Sequence, residues 1–308
     1  MDRQPNHLTA ILQALFVTFL WSTSWVLIKH GLQDLPALTF AGLRYALAAL
    51  VLWTLLLVDH RKRAALRELP RATWLKLLGL GVVMYALTQG AQFMALAGLS
   101  AQTVTLTLSL TPLLVAFFGT FVLSEPLTPR QWSGVALVAA GVALYFLPLA
   151  GLTGTITGWI AVAVGLISNA GSSLYGRSVN RGGHLDPLVV TSVSMGFGAI
   201  LLLTAGAATQ GLPPLSLQSW GIVAWLALVN TAFAFTLWNV TLRRLTAVES
   251  SLINNTMLVQ IAVLAYLFLG EPLGWKQVCA FALVLIGTVI VQLKRRPSNP
   301  TPAPTSRA

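Results

Sequence analysis

Charged residues and cysteines are scarce in this chain of 308 residues. Only 9% of its residues are charged and 56% are hydrophobic, whereas about 25% of the residues of a soluble globular protein are charged. So few charges cannot cover a water-exposed surface, which excludes the soluble and the disordered classes. The single cysteine, Cys279, excludes an internal disulfide. Together with a mean hydropathy of +0.77, this composition predicts an integral membrane protein.

Signals of catalysis and of phosphate binding are missing as well. The four histidines, His7, His30, His60 and His184, lie at the ends of apolar stretches or between them, so none can activate a serine inside the membrane. No group of histidine, cysteine and carboxylate has metal-ligand spacing, and no Walker-type phosphate loop is present. We therefore predict neither an enzyme nor a cofactor or metal. Any active transport must be secondary or use a partner protein.

Ten apolar segments have the length of about 20 residues that a membrane-spanning helix needs. They cover residues 8–28, 37–58, 75–96, 100–123, 130–148, 156–176, 187–208, 217–241, 247–269 and 275–293. The short breaks between them carry glycine, proline and acidic residues, which are typical of turns. The sequence therefore predicts ten transmembrane helices.

Basic residues fall almost entirely on one side of the predicted membrane. Of the 19 lysines and arginines, only Lys29 and Lys276 lie on the opposite side, and Arg44 lies within the second segment. Because cytoplasmic loops are enriched in lysine and arginine, this pattern predicts that both termini are cytoplasmic, in the inner (plasma) membrane. It also explains the net charge of +11 without nucleic acid. The expected partners are the lipid bilayer and a small-molecule substrate.

The first half of the chain matches the second at an offset of 146 residues. Residues 125–127 (Glu-Pro-Leu) match residues 271–273, which have the same sequence, and Gly141 matches Gly287. Two halves of five helices each must have opposite orientations in the membrane, because five is an odd number. Inverted repeats are the usual architecture of secondary transporters, in which the substrate binds near the midplane between the halves.

These observations predict an all-α integral membrane protein whose ten transmembrane helices form two inverted five-helix repeats around a central cavity. The first repeat comprises residues 1–150 and the second comprises residues 151–293. Residues 294–308 are rich in proline, serine and threonine, which predicts a disordered cytoplasmic tail.

Polar and aromatic side chains inside a membrane usually face the interior of the helix bundle or a wet cavity. We predict that substrate binds to Trp21, Ser22, Trp25, Tyr85, Gln89, Gln92, Tyr175, Asn230, Trp238, Asn239 and Asn254. The alternative for these side chains is packing or hydrogen bonding between helices. Aromatic rings beside neutral amides and hydroxyls suit a small, net-neutral molecule. An amino acid, a nucleobase, a nucleoside or a drug-like metabolite fits that description.

Five further residues are predicted to act in gating or in structure: Arg44, Pro112, Glu125, Glu249 and Glu271. Arg44 lies inside a helix, where it either attracts a substrate carboxylate or holds the structure. Pro112 removes a backbone hydrogen bond and kinks its helix, and Glu249 is expected to pair with a nearby arginine. Glu125 and Glu271 are placed at opposite faces of the membrane, where they cap helices or hold loops. Alternating access would close the cavity in turn at these two ends.

The motifs also resemble those of a known family. They are Phe-Leu-Trp-Ser at 19–22, Lys-His-Gly at 29–31, Pro36 followed by Arg44, and the two Glu-Pro loops. Over residues 8–293 the chain is similar to the EamA-type branch of the drug/metabolite transporter superfamily, and within it most similar to the YddG-type exporters of aromatic amino acids. The resemblance implies a ten-helix bundle that exports small metabolites, here aromatic and other neutral amino acids, and it permits a monomer.

The chain departs from the small multidrug branch of that superfamily, whose first helix carries an essential glutamate. The first apolar segment has no acidic residue here, which argues against cationic drugs. No titratable group lies in the middle of a predicted helix, so we expect facilitated, downhill export. The alternative from a different class is a channel or a non-transporting membrane protein, although the deep rings of charge that many ion channels use are missing.

Overall fold

Helices form wherever the sequence carries a long apolar run, because a backbone in lipid must satisfy its own hydrogen bonds. The computed structural model describes residues 7–123, 128–147, 153–180, 185–241, 244–245 and 247–292, and no strand occurs among them. In chain order the helices are α1 (His7–Gly31), α2 (Ala37–Val58), α3 (His60–Arg67), α4 (Arg71–Leu80), the π-helix π1 (Gly81–Leu87), α5 (Thr88–Gly98), α6 (Ala101–Leu108), α7 (Thr111–Leu123), α8 (Pro129–Phe146), α9 (Ile156–Asn180), α10 (Pro187–Gln210), α11 (Leu217–Ala227), the π-helix π2 (Leu228–Phe233), α12 (Ala234–Thr241), α13 (Ala247–Leu269) and α14 (Trp275–Gln292).

Eight helices are long and apolar enough to cross a membrane, by length and composition. They correspond to the predicted segments except those at 100–123 and 130–148. The first of these two is divided into α6 and α7 just before Pro112, whose ring and missing N–H interrupt a continuous helix. The second forms α8, which begins with a polar Pro-Arg-Gln turn and is therefore less apolar than the eight. The protein is an all-helical, multi-pass membrane protein.

Helices α8 and α14 pack so closely that their backbones touch. A Cβ atom added to Gly134 would lie 2.7 Å from the carbonyl oxygen of Gly287, and one added to Gly141 would lie 2.8 Å from that of Ala280. The later residue of α8 meets the earlier residue of α14, so the two helices are antiparallel. They are also helices that the sequence repeat matches, because Gly141 corresponds to Gly287.

Helices α2 and α10 make a second close antiparallel contact. A Cβ atom added to Gly42 would lie 2.6 Å from the Cα of Leu203, and one added to Gly206 would lie 2.5 Å from the backbone nitrogen of Thr39. The hydroxyl of Thr39 donates to the carbonyl of Gly211 at 2.8 Å. Gly211 ends α10 with a φ of 80°, a backbone angle that residues other than glycine rarely adopt. Small residues allow this close approach, as is usual between membrane helices.

The two π-helices occupy matching positions of the repeat, because their last residues are 146 positions apart. In each region a threonine hydroxyl donates to the carbonyl five residues earlier. Thr88 donates to Val83 at 2.7 Å, and Thr231 donates to Leu226 at 2.9 Å. A π-turn is wider than an α-turn and often occurs near functional sites. It also changes which side chains share one face of the helix.

A short basic helix, α3, follows α2 outside the membrane-spanning segments. The carboxylate of Asp59 accepts the backbone N–H groups of Arg61 at 3.0 Å and Lys62 at 3.3 Å. The backbone N–H of Lys62 has the largest influence, and together these bonds hold the pKa of Asp59 below its usual value. The carboxylate therefore caps the start of α3.

Candidate substrate site

A cavity of about 380 Å³ lies between α1, α5, α6, α7, α9, α13 and α14, so both halves of the chain contribute to its wall. Among the described residues that line it, none is an acid, a base or a histidine. The apolar ones are Trp25, Leu108, Pro112, Met257, Leu258, Ile261 and Leu285, and the polar ones are Gln92, Thr105, Ser109, Thr111, Asn169, Ser173, Asn254, Asn255, Thr288 and Gln292.

Two amides of this lining are held within the wall. The amide nitrogen of Asn169 donates to the hydroxyl of Thr111 at 3.3 Å, which joins α9 to α7. The amide nitrogen of Asn255 donates to Oε1 of Gln292 at 2.9 Å, which joins α13 to α14. These bonds fix the shape of the cavity and occupy donors that a ligand would otherwise use.

Four residues singled out from the sequence meet at this cavity: Trp25, Gln92, Asn254 and Pro112. Trp25 is 8% exposed and forms the aromatic part of the wall. Neither Gln92 nor Asn254 makes a side-chain hydrogen bond to another residue in the part of the chain that the structure describes. The cavity can therefore hold an apolar group against the indole and present neutral donors and acceptors to the polar atoms of the same molecule.

Trp21 and Trp238 lie in an aromatic cluster between α1 and α12, not in the lining of the cavity. The ring centroid of Trp21 is 5.1 Å from that of Phe235 and 5.2 Å from that of Trp238. The indole N–H of Trp21 is buried, and no described residue accepts it. Trp21 and Trp25 lie within one turn of α1, yet only Trp25 is in the described lining of the cavity. The predicted contacts of Trp21 and Trp238 with substrate stay predictions.

Ser22 belongs to a polar seam between α1 and α13. Its hydroxyl donates to Oε1 of Gln260 at 2.9 Å, and Nε2 of Gln260 donates to the hydroxyl of Thr18 at 3.3 Å. Farther along the same pair of helices, Glu249 lies 3.1 Å from Nε2 of His7. Gln260 was not among the residues predicted from the sequence, although an amide in the ninth apolar segment was a signal for it. Ser22 thus contributes to packing between the helices, and its predicted contact with substrate stays a prediction.

Tyr85, Gln89 and Asn230 also take part in contacts between helices. The hydroxyl of Tyr45 donates to Oε1 of Gln89 at 2.7 Å, and the rings of Tyr45 and Tyr85 have centroids 5.7 Å apart. Asn230 is fully buried, and its amide donates to the carbonyl of Leu20. None of the three is in the described lining of the cavity. They surround the site without reaching its wall.

Tyr175 does not line the cavity in the part of the chain that the structure describes. The hydroxyl of Tyr175 donates to the carbonyl of Lys76 at 3.1 Å, between α9 and α4. The side chain of Asn239, the whole of Glu125 and the tail at 294–308 lie outside the described residues. Their predicted roles stay predictions.

Arg44 is buried, with 5% of its surface exposed. Its Nε and Nη2 atoms each lie 3.2 Å from the hydroxyl oxygen of Thr231, to which they donate, so Arg44 joins α2 to π2. Its guanidinium carbon lies 5.2 Å from the ring centre of Tyr45 and 6.0 Å from that of Phe93. No ion pair involves Arg44 among the described residues. Two aromatic faces therefore supply the favourable field that a carboxylate would otherwise supply.

Glu271 caps α6 from the loop between α13 and α14. Its Oε1 accepts the backbone N–H of Ala101 at 2.6 Å, and its Oε2 accepts that of Gln102 at 2.9 Å. The carboxylate satisfies two N–H groups that have no partner within the helix and faces the positive end of the helix dipole.

Lys29 holds the preceding helix at the same turn. Its Nζ donates to the carbonyls of Leu96 and Leu99, both at 2.9 Å, at the carboxyl end of α5. Lys29 and Glu271 both line a second cavity, of about 720 Å³. The turn between α5 and α6 is therefore held by one cation and one anion, each matched to the dipole of the helix end that it contacts.

Replacing Glu271 by alanine is expected to destabilise the protein, because the two N–H groups lose their acceptor in a site that is 9% exposed. Loss of a helix cap costs about 0.5–2 kcal/mol, which should lower the melting temperature in detergent by a few degrees. Glu271→Gln keeps one acceptor and should fall between the wild type and Glu271→Ala. Glu68→Ala, at an exposed position after α3, serves as the control. Equal melting temperatures for Glu271→Ala and Glu68→Ala would contradict the capping role.

Eight membrane-length helices, together with a cavity that residues of both halves line, define a class: a multi-pass α-helical membrane protein with a small cavity whose described lining carries no charge. The model of the EamA-like transporter family matches residues 8–147 and 156–293. The chain belongs to this family, and the family is one of transporters. The resemblance seen in the sequence motifs is thereby confirmed at the level of the family.

Several curated proteins are similar to this chain over most of their length. An uncharacterized transporter of Archaeoglobus fulgidus is 26% identical over 285 residues, which are 92% of this chain and 99% of that protein. The uncharacterized inner membrane transporter YedA of Escherichia coli K12 is 26% identical, covering 97% and 96%. An S-adenosylmethionine/S-adenosylhomocysteine transporter of Chlamydia trachomatis is 25% identical, covering 89% and 86%. None of these names specifies aromatic amino acids.

A solved crystal structure has the same fold. It superposes with a TM-score of 0.65 at 20% sequence identity and covers 93% of this chain and 98% of its own.

Proposed function

We propose that this protein is a secondary transporter that exports small, net-neutral metabolites across the inner (plasma) membrane. Aromatic and other neutral amino acids are its first candidate substrates. The observation that carries the proposal is the cavity, in which Trp25 and the amides of Gln92 and Asn254 are combined with described lining residues that carry no charge. A substrate with net charge would lose its hydration there without gaining a counter-charge.

The proposed architecture is ten transmembrane helices in two inverted repeats, with both termini cytoplasmic. The two spans added to the eight are α6 with α7, and α8. Helix α8 has 18 residues, which at 1.5 Å per residue reach about 27 Å, close to the thickness of about 30 Å of the hydrocarbon core. The antiparallel contact between α8 and α14 supports the inversion, because these helices match in the sequence repeat.

The proposed mechanism is alternating access. The cavity of about 380 Å³ and the one of about 720 Å³ have no lining residue in common. Between them along α5 and α6 lie buried side chains that include Phe93, Ala101 and Val104. We propose that these side chains form one of two gates, together with Lys29 and Glu271 on the side of the larger cavity. The gate would open when the two halves of the chain rock against each other.

Counterflow in proteoliposomes tests the function. Vesicles loaded with unlabelled L-phenylalanine should accumulate labelled L-phenylalanine transiently, because an alternating-access carrier exchanges its substrate across the membrane. Protein-free vesicles are the control. A channel would equilibrate the label without overshoot, and that outcome would contradict the proposed mechanism.

The same vesicles test the coupling. No acid, base or histidine is found in the described lining, so we expect exchange to proceed equally with and without an imposed pH gradient. Acceleration by the gradient would contradict facilitated transport and would make Glu249 the first residue to replace.

S-adenosylhomocysteine is a second candidate substrate, because one relative is named as an S-adenosylmethionine/S-adenosylhomocysteine transporter. S-adenosylhomocysteine is net neutral and carries an aromatic base, which suits the indole of Trp25 and the free amides. S-adenosylmethionine carries an additional positive charge, for which the described lining offers no carboxylate. Stronger competition by S-adenosylhomocysteine than by L-phenylalanine would favour this candidate over amino acids.

A further inference from the structure

Two threonines in the wall of the cavity have buried hydroxyls with no hydrogen bond. Thr105 in α6 is 6% exposed and Thr288 in α14 is 5% exposed. Neither Oγ1 atom has a hydrogen-bond partner in the ranges that the structure describes. One threonine comes from each half of the chain.

Other helical threonines of this protein behave differently. The hydroxyl of Thr107 donates to the carbonyl of Thr103 at 2.9 Å, and that of Thr256 donates to the carbonyl of Ile253 at 2.6 Å. A bond of this kind, to a carbonyl one turn earlier, is available to any threonine inside a helix. A buried hydroxyl without a partner is unfavourable, so its occurrence at two positions of one cavity wall calls for a reason.

We infer that Thr105 and Thr288 are specificity-determining residues whose hydroxyls bind the two charged ends of a zwitterionic α-amino acid. The inference rests on the proposed function, because it concerns the same cavity. A hydroxyl both donates and accepts hydrogen bonds. One threonine can therefore donate to the carboxylate while the other accepts from the ammonium group, and no charged residue of the described lining favours either end.

When the two hydroxyls bind a ligand in this way, no hydrogen bond between described residues has to be broken. Rotation about χ1 can carry the hydroxyl to the position of the methyl group, while the methyl group takes that of the hydrogen on Cβ. Neither hydroxyl gives up a partner among the described residues when it turns toward the ligand. The apolar part of the amino acid would lie against Trp25, Met257 and Ile261, which belong to one apolar cluster. The cavity then has a polar and an apolar subsite, as an aromatic amino acid requires.

The test uses the full-length protein and labelled L-phenylalanine in counterflow. Thr105→Val and Thr288→Val keep the side-chain shape and lose the hydroxyl. Each should raise the KM by about tenfold, the effect of losing one hydrogen bond to a charged group, with the maximal rate within about twofold of wild type. Thr105→Ser and Thr288→Ser keep the hydroxyl and should stay close to wild type. Phenethylamine and 3-phenylpropionate each lack one charged end and should compete poorly.

Stability without ligand gives an independent readout. Thr105→Val and Thr288→Val should melt at or above the wild-type temperature, because they remove an unpaired polar group. Thr107→Val is the matched control, because it removes a hydrogen-bonded hydroxyl from α6, the helix that carries Thr105. It should melt at a slightly lower temperature than the wild type and have an unchanged KM.

Wild-type KM values in both valine variants, or melting temperatures as low as that of Thr107→Val, would overturn the assignment of the two hydroxyls. Those results leave the proposed function intact if the wild type exchanges phenylalanine. Absence of any amino acid exchange by the wild type would overturn this inference and the choice of amino acids as first candidate substrates, whereas exchange of S-adenosylhomocysteine by the same protein would keep the proposed transporter function.

Discussion

Gly287→Leu is expected to lower the amount of folded protein in the membrane to a small fraction of the wild-type amount. A Cβ atom at this position would lie 2.6 Å from the carbonyl oxygen of Gly134 and 2.8 Å from the backbone nitrogen of Val138. These neighbours are backbone atoms of another helix, so α8 and α14 would have to separate to admit the side chain. Overpacking of a core costs about 1–3 kcal/mol and sometimes more, and here the displaced element is a whole helix.

The measurement is the yield of monodisperse protein in size-exclusion chromatography, followed by its melting temperature. Gly221→Leu is the matched control, because a Cβ atom at Gly221 has no neighbour within 4 Å. Gly287→Ala should fall between the two. If Gly287→Leu were recovered with the yield and melting temperature of Gly221→Leu, the close packing of α8 against α14 would be wrong.

The same contact explains why the repeat was readable from the sequence. Gly141 and Gly287 occupy equivalent positions, and each meets the other helix of the α8–α14 pair: Gly141 meets Ala280, and Gly287 meets Gly134. Close helix packing demands small residues, so a match between glycines carried structural information that a match between leucines would not carry. Apolar length predicted the helices in the same manner, because lipid forces the backbone to satisfy its own hydrogen bonds.

Rotation about the helix axis could not be read from the sequence. Regular α-helical spacing would put Tyr85, Gln89 and Gln92 on one face. In the structure Tyr85 and Gln89 both contact Tyr45, whereas Gln92 lines the cavity. The sequence also did not predict the π-helix at Gly81–Leu87.

Thr105 and Thr288 were missed for a related reason. A hydroxyl or an amide in a membrane helix can bond its own backbone, a neighbouring helix or a ligand, and one sequence does not distinguish these states. Only the positions of the neighbouring helices show that Asn169 is hydrogen-bonded to Thr111, whereas the hydroxyls of Thr105 and Thr288 have no hydrogen-bond partner within the described ranges. Spacing alone therefore did not predict which polar side chains line the cavity.

Asn254→Asp is expected to have the largest effect on transport, because it adds a charge to a cavity whose described lining has none. This change keeps the shape of the side chain and places one negative charge in a lining whose described members carry none. A carboxylate holds water and repels the carboxylate of an amino acid, and no cation of the described wall compensates it. We expect the initial rate of L-phenylalanine exchange at neutral pH to fall by at least about tenfold, equivalent to about 1.4 kcal/mol.

Acid should reverse this loss. A protonated aspartic acid is neutral and nearly isosteric with asparagine, so exchange by Asn254→Asp should rise as the pH falls through the range in which the carboxyl group takes up its proton. Exchange by the wild type should be flat over the same range, because no described lining residue titrates. Gln218→Glu makes the same change of amide to acid at an exposed position in the first turn of α11 and should match the wild type at each pH.

The charge should also alter selectivity. A carboxylate at position 254 attracts cations, so S-adenosylmethionine should compete better against phenylalanine in Asn254→Asp than in the wild type at neutral pH.

A variant that exchanged phenylalanine at the wild-type rate at every pH would place Asn254 away from the substrate. A variant that stayed inactive in acid would indicate that Asn254→Asp had damaged the fold, and a fall in melting temperature larger than that of Gln218→Glu would identify that case. Recovery in acid together with the gain for a cation would establish that substrate passes through this cavity and that the absence of charge in its wall selects neutral molecules.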